Sequence, residues 1–148
     1  MTTNTQKGVM IVAKEYLQRY GIRPSAQRIA VMHYLLTRRT HPTVDEIYHE
    51  LVDSIPTLSR TTVYNTLHLL YKHGAILALS IDETNVRFDG YTHPHAHFLC
   101  CGCGNVYDVD LDDVAFVQRN TPRNAAMITE AQLYYKGLCN VCSAKQQN

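Results

Sequence analysis

"SRTTVYNTLHLLYKH", residues 59–73, reads as one amphipathic helix. Ser59 suits an N-cap, where its hydroxyl can accept a backbone N–H of the first turn. Gly74 follows directly and suits the left-handed position that closes a helix. Val63, Leu67 and Leu70 recur at i, i+4 and i+7 and share a stripe that must face a core. Arg60, Thr62, Asn65 and His68 fall on the outward face, with Tyr64 near its edge. A helix this apolar on one side needs partners, so its neighbours in the chain decide the architecture.

Three helices are predicted upstream. Residues 8–20 place Val9, Val12, Ala13, Tyr16 and Leu17 on one stripe and stop at Gly21. Residues 25–37 carry Ile29, Met32, Leu35 and Leu36 at helical spacing behind Ser25 as an N-cap. Residues 43–54 open with Thr43 and, three positions on, Glu46, the signature of a capping box. Downstream, "AILALS" and "NVRFDG" are short strand-like runs joined by the polar turn "IDET". Three helices followed by a two-stranded wing describe a winged helix-turn-helix, in which the second helix of the motif enters the DNA major groove.

The rest of the chain reads α/β. "HAHFLC" and "GNVYDVDL" are predicted strands, residues 112–120 a helix, and "MITEAQLYYKGLC" a returning strand. The tail from residue 143 is expected to fray. The expected class is therefore α+β: a winged-helix domain over residues 1–90 and a small α/β domain over residues 91–148.

Composition excludes several classes. At 148 residues and 45% hydrophobic the chain can build one or two small cores. No run approaches the length of a membrane span, and the first 20 residues carry charges through their apolar part, unlike a signal peptide. An intracellular, cytoplasmic protein is expected. The net charge of +1 hides an asymmetry: Lys14, Arg19, Arg23, Arg28, Arg38 and Arg39 face only Glu15, a local excess of +5 that permits a polyanionic partner.

"THPHAHFLCCGCG", residues 92–104, is dense in metal-binding side chains. Cys100-x-x-Cys103 and Cys139-x-x-Cys142 form two knuckles 35 residues apart, and four thiolates supply the closed tetrahedral site that structural Zn²⁺ prefers. Gly102 allows the first knuckle its turn. The competing readings are buried structural thiols or a redox pair on one knuckle. Cys101 breaks the spacing and is read as a bystander, although it could substitute for Cys100 in a C-x-C arrangement. His95 and His97 alternate and would share a strand face with His93. Asp89 lies just before them, Asp108 stands on the strand expected to pair back, and His41 precedes Pro42 and the helix at 43–54 in the first domain. Nitrogen and oxygen donors without thiolate favour Fe²⁺ or Mn²⁺ over Zn²⁺, without excluding it. Two metals per chain are expected, one structural on sulfur and one exchangeable.

These stretches together resemble the ferric-uptake-regulator family of metal-dependent bacterial repressors. The resemblance is carried by "RPSAQRIAVMHYL", "HPTVDEIY", "SRTTVYNTLHLL", "RFDG", "HAHFLCCGCG" and "GLCNVC" and spans most of the chain. It implies a homodimer with an N-terminal winged-helix DNA-binding domain and a C-terminal dimerisation domain. It implies one structural zinc per chain at Cys100, Cys103, Cys139 and Cys142. It implies one regulatory Fe²⁺ or Mn²⁺ at His41, Asp89, His95, His97 and Asp108, and a palindromic AT-rich DNA operator as partner. A ligand set drawn from both domains would favour one closed state of the dimer.

Peroxide-sensing members of the family have Asp where Asp108 stands, and iron-uptake repressors typically have Glu. That branch implies Fe²⁺-catalysed oxidation of His41 or His95 by hydrogen peroxide. A further metal site known in some members is interrupted here by Pro94 and Ala96 and lacks a histidine on the late strand. For DNA, Tyr64 matches a position where family members touch the duplex. Arg60, Thr62 and Asn65 could reach phosphates or bases, and Lys14, Arg19 and Arg23 are candidate phosphate contacts. The alternatives are an iron- or manganese-responsive uptake regulator and, from another class, a non-haem iron enzyme using His95, His97 and Asp89. Against the enzyme, His41 and Asp108 would fill the open positions such chemistry needs.

Overall fold

The computed structural model describes residues 3–111 and 122–146, and the side chains of the first helix from Ile11 onward. The predicted helix at 112–120 lies outside the described residues. The chain divides into two units, Met1–Thr92 and His93–Asn148.

The first unit holds α1 (Thr3–Arg19), α2 (Ala26–Thr37), α3 (Val44–Leu51), α4 (Arg60–Lys72) and the hairpin β1 (Leu77–Leu79) and β2 (Arg87–Asp89). Local chemistry sets the helix starts. Ser25 Oγ accepts from Arg28 N and Ser59 Oγ accepts from Thr62 N, each satisfying a first-turn donor. Thr43 and Glu46 complete both bonds of the capping box. Gly21 and Gly74 adopt the left-handed conformation after α1 and α4.

Tertiary packing assigns the faces. Val63, Leu67 and Leu70 of α4 are fully buried with Val31, Met32 and Leu35 of α2 and Ile47 of α3. Each such side chain contributes about 1.5–3 kcal/mol on leaving water. Ala13 and Leu17 carry the buried edge of α1, whereas Val12 points to solvent despite its place on the predicted stripe. Tyr16 anchors α1 to the start of the wing by donating its hydroxyl to the Ala75 carbonyl at 2.9 Å. The wing is antiparallel, with Leu77 opposite Asp89 and Leu79 opposite Arg87. Three helices closed by this hairpin make the winged helix-turn-helix.

The second unit holds a three-stranded sheet of order β4-β3-β5, with β3 (Ala96–Cys100), β4 (Val106–Val109) and β5 (Tyr134–Gly137). β3 pairs antiparallel with β4 and parallel with β5, so the sheet is mixed. β5 is shorter than the long strand expected over 127–139, of which only Tyr134–Gly137 pairs with β3. A seven-residue helix α5 (Asn140–Gln146) then occupies most of the tail expected to fray. No helix among the described residues is long and apolar enough to cross a membrane.

Candidate metal centres and recognition helix

The parallel pairing of β3 and β5 explains why the two cysteine knuckles meet. Parallel strands end on the same side, and Cys100 lies opposite Gly137. Cys139 follows two residues after β5, and Cys142 lies on α5. The Cys101 N–H donates to the Gly137 carbonyl at 2.7 Å, tying the first knuckle to the second. The sulfurs of Cys100, Cys103, Cys139 and Cys142 lie within 4.8 Å of one another. Cys101 is exposed and is not in this group.

The four thiols are chemically unequal. The Cys139 N–H donates to Cys100 Sγ at 3.3 Å, and this bond with those from Cys103 and Gly102 lowers the Cys100 thiol to about 6. Cys139 is also lowered, chiefly by the backbone of Cys142. Cys142 is raised to about 12, chiefly by its bonding with the sulfurs of Cys139 and Cys100. Four sulfurs this close can present a tetrathiolate to one divalent ion, so the donor set fits Zn²⁺.

Gly102 matters for a different reason from the one its position suggests. It is Gly104 that has positive φ in this turn, at 75°. A Cβ on Gly102 would lie 2.9 Å from Cys142 Cβ and 3.0 Å from its Sγ. Gly102 is required by the close approach of the second knuckle.

The remaining ligand candidates fall into two groups, one in each unit. In the second unit, the β3–β4 register places His97 opposite Asp108. His95 lies one step away on the same strand face, its ring centroid 4.4 Å from that of His97. Both reach one carboxylate oxygen: Asp108 Oδ1 is 3.1 Å from His95 Nε2 and 3.6 Å from His97 Nε2. His95 Nδ1 lies 2.6 Å from the His93 carbonyl, and because a carbonyl only accepts, that nitrogen is the donor. Nε2, the other ring nitrogen, faces the Asp108 oxygen, and a cation shared between them, a proton or a metal ion, would satisfy both. A ligand histidine oriented through its other nitrogen onto a carbonyl is the arrangement metal sites use. His93 thus takes part through its backbone.

In the first unit, His41 and Asp89 are both buried, with His41 Nε2 3.6 Å from Asp89 Oδ2. Asp89 Oδ1 accepts the Tyr91 N–H at 2.8 Å, which directs the other oxygen to His41. His41 is the one non-glycine residue with positive φ among the described residues, at 51°, and Pro42 follows it. That strained backbone was not legible in the sequence. The Arg87 side chain donates to the His41 carbonyl at 3.2 Å, a contact sequence reading missed because the two residues are 46 apart.

On α4, Tyr64 is exposed and stacks on His68 with ring centroids 6.2 Å apart. It borders a cavity of about 400 Å³ lined also by Tyr71, Val86 and Phe88. Thr62 and Asn65 line a second cavity of about 490 Å³, together with Arg23, Ser25 and Arg28 at the start of α2. Lys14 and Arg19 are exposed on α1. Arg60 is engaged sideways with α3. Its Nε donates to Asp45 at 2.6 Å, its NH2 lies 3.2 Å from His49 Nε2, and its guanidinium sits 4.4 Å over the Tyr48 ring.

Comparison with known proteins agrees with this architecture. The chain is 33% identical to the peroxide-responsive repressor PerR of Staphylococcus aureus (strain Mu50 / ATCC 700699) over 130 residues, 87% of this chain and 88% of the relative. The ferric uptake regulator Fur of Helicobacter pylori superposes with a TM-score of 0.71 at 21% identity, covering 93% of each chain. The peroxide stress regulator of Campylobacter jejuni superposes with a TM-score of 0.67 at 22% identity, covering 90% of this chain and 98% of that one. Residues 19–136 match the model of the ferric uptake regulator family, and the chain belongs to that family.

Proposed function

We propose that the chain is a metal-dependent, DNA-binding transcriptional repressor of the cytoplasm that responds to hydrogen peroxide. The convergence of His95 and His97 on Asp108 carries this reading. Three nitrogen and oxygen donors leave a divalent ion's shell incomplete, and His41 with Asp89 would supply two more. One Fe²⁺ or Mn²⁺ taking all five would draw on both units and so favour a single closed arrangement of a homodimer. Zn²⁺ on the four cysteines would hold the second unit, which serves dimerisation, while the first unit binds a palindromic AT-rich operator. Tyr64, Asn65 and Thr62 would meet the duplex, with Lys14, Arg19 and Arg23 on phosphates and Arg60 shared between DNA and α3.

The peroxide branch is supported by Asp at 108 and by the 33% identity to a peroxide-responsive repressor. Bound Fe²⁺ would supply the chemistry by which one oxygen atom of hydrogen peroxide enters a C–H bond of the His41 or His95 ring while the other leaves as water. The oxidised ring would be a poor ligand, so the closed state and the operator would be lost. Mn²⁺ would support repression without this chemistry.

The test is an anaerobic gel shift with Fe²⁺- or Mn²⁺-loaded protein, followed by peroxide and mass spectrometry of the peptides holding His41 and His95. The expected result is loss of DNA and a gain of one oxygen atom by a histidine in the Fe²⁺ form alone. If both forms keep DNA with unmodified histidines, the protein is an iron- or manganese-responsive uptake regulator instead.

A further inference from the structure

We infer that Arg87 is the positioning residue of the His41 half-site and couples it to the wing. The inference rests on the proposed reading of His41 as a ligand. β2 grips the segment before α3 with three successive residues. The Arg87 side chain donates to the His41 carbonyl, the Phe88 N–H donates to the Pro42 carbonyl at 3.0 Å, and the Asp89 carboxylate faces the His41 ring. The same guanidinium is anchored in the loop of the wing. Its Nε donates to Asp82 Oδ2 at 3.1 Å and its NH2 lies 3.0 Å from that oxygen. Its NH1 also lies 3.8 Å from Glu46 Oε2, the carboxylate that caps α3 by accepting the Thr43 N–H at 2.7 Å.

The backbone of His41 explains why this grip is needed. A left-handed conformation is costly for a non-glycine residue, and a following proline disfavours helical angles further. Such a residue holds its place only when its surroundings over-determine it. Without Arg87 the His41 carbonyl loses this donor, the hold on its left-handed backbone weakens, and the imidazole is less firmly set toward Asp89. The Arg87 side chain is only 15% exposed and its donors are engaged by Asp82, the His41 carbonyl and Glu46, so it is not placed to meet a phosphate. Lysine could serve Asp82 or the carbonyl, but its single ammonium cannot fork across both. Because one guanidinium joins the His41 segment, the cap of α3 and the wing loop, occupation of His41 by an ion also restrains the wing beside α4.

The experiment compares the zinc-loaded full chain with Arg87→Met, Arg87→Lys, Asp82→Asn and His41→Ala. Mn²⁺ affinity, zinc content, melting temperature and operator affinity at saturating Mn²⁺ are measured. Arg87→Met is expected to weaken Mn²⁺ by about 10–100-fold, the usual effect of removing a group that orients a ligand, with zinc content unchanged. Arg87→Lys should fall between it and the wild type. Asp82→Asn contacts no ligand and should weaken Mn²⁺ in the same direction by loosening Arg87. At saturating Mn²⁺, Arg87→Met should still bind operator less tightly than the wild type. If Arg87→Met fails to fold, the other two variants decide. A lower melting temperature with unchanged Mn²⁺ affinity in the Arg87 and Asp82 variants overturns the inference and leaves Arg87 as a tie of the hairpin. Unchanged Mn²⁺ binding in His41→Ala would instead overturn the ligand reading beneath it.

Discussion

Gly102→Ala is the sharpest probe of the cysteine centre. The added methyl would lie 2.9 Å from Cys142 Cβ, 3.0 Å from its Sγ and 3.2 Å from Leu138 Cδ2. Carbon contacts become comfortable near about 3.5 Å, so Cys142 must retreat by about 0.6 Å. A zinc site tolerates ligand displacements of about 0.2 Å. The substitution therefore removes one sulfur of four while leaving every cysteine in the chain. If the ligands share evenly the roughly 10–16 kcal/mol of a structural zinc site, the loss is about 3 kcal/mol. That corresponds to about 100-fold weaker zinc. The assay is zinc per chain after equilibration against a graded chelator series, with Cys142→Ser as the reference for a lost ligand. Gly102→Ala that holds zinc as firmly as the wild type, while Cys142→Ser loses it, would show that the knuckles can part without cost and would refute the close-approach argument.

Two further predictions concern the first unit. Gly90→Ala would place a methyl 2.7 Å from the Leu35 carbonyl oxygen and 3.0 Å from its carbon, backbone atoms of α2 that cannot turn aside. Overpacking of this kind costs about 1–3 kcal/mol. At about 4–8 °C per kcal/mol for a unit of this size, a clear drop in melting temperature is expected by calorimetry, and an unchanged one would refute the tight packing of β2 on α2. Burial, reinforced by the neighbouring Tyr20, raises Tyr16 well above its ordinary value. The folded state thus prefers the neutral phenol: its contribution to stability is complete below about pH 10, where the unfolded phenol titrates, and is lost as pH rises from there. Tyr16→Phe should cost about 1 kcal/mol at neutral pH through the lost bond to Ala75 and should flatten that alkaline decline, as followed by denaturant titration at pH 8 and pH 11. An equal decline in both proteins would sink this assignment.

The winged helix was legible because its signals are local. Capping residues, glycine stops and a 3.6-residue apolar period are contained within each helix, and burial then selected the stripe of Val63, Leu67 and Leu70. The alternation of His95 and His97 likewise put two nitrogens on one face whatever the sheet around them. Where such signals were weak, reading failed: the long strand expected over 127–139 shrank to Tyr134–Gly137, the residues that pair in register with β3.

What the sequence determined by itself was therefore the set of elements and the kinds of donor atom: two cysteine knuckles, alternating histidines and a capped helix with a polar outer face. Which donors meet was decided by tertiary pairing. The antiparallel register sets Asp108 opposite His97, and the parallel register of β3 with β5 brings the two knuckles together. The strained backbone of His41 and the guanidinium that holds it belong wholly to the tertiary structure. Contacts between residues 46 positions apart leave no periodicity to read, and a left-handed histidine is stable only because its surroundings pin it there.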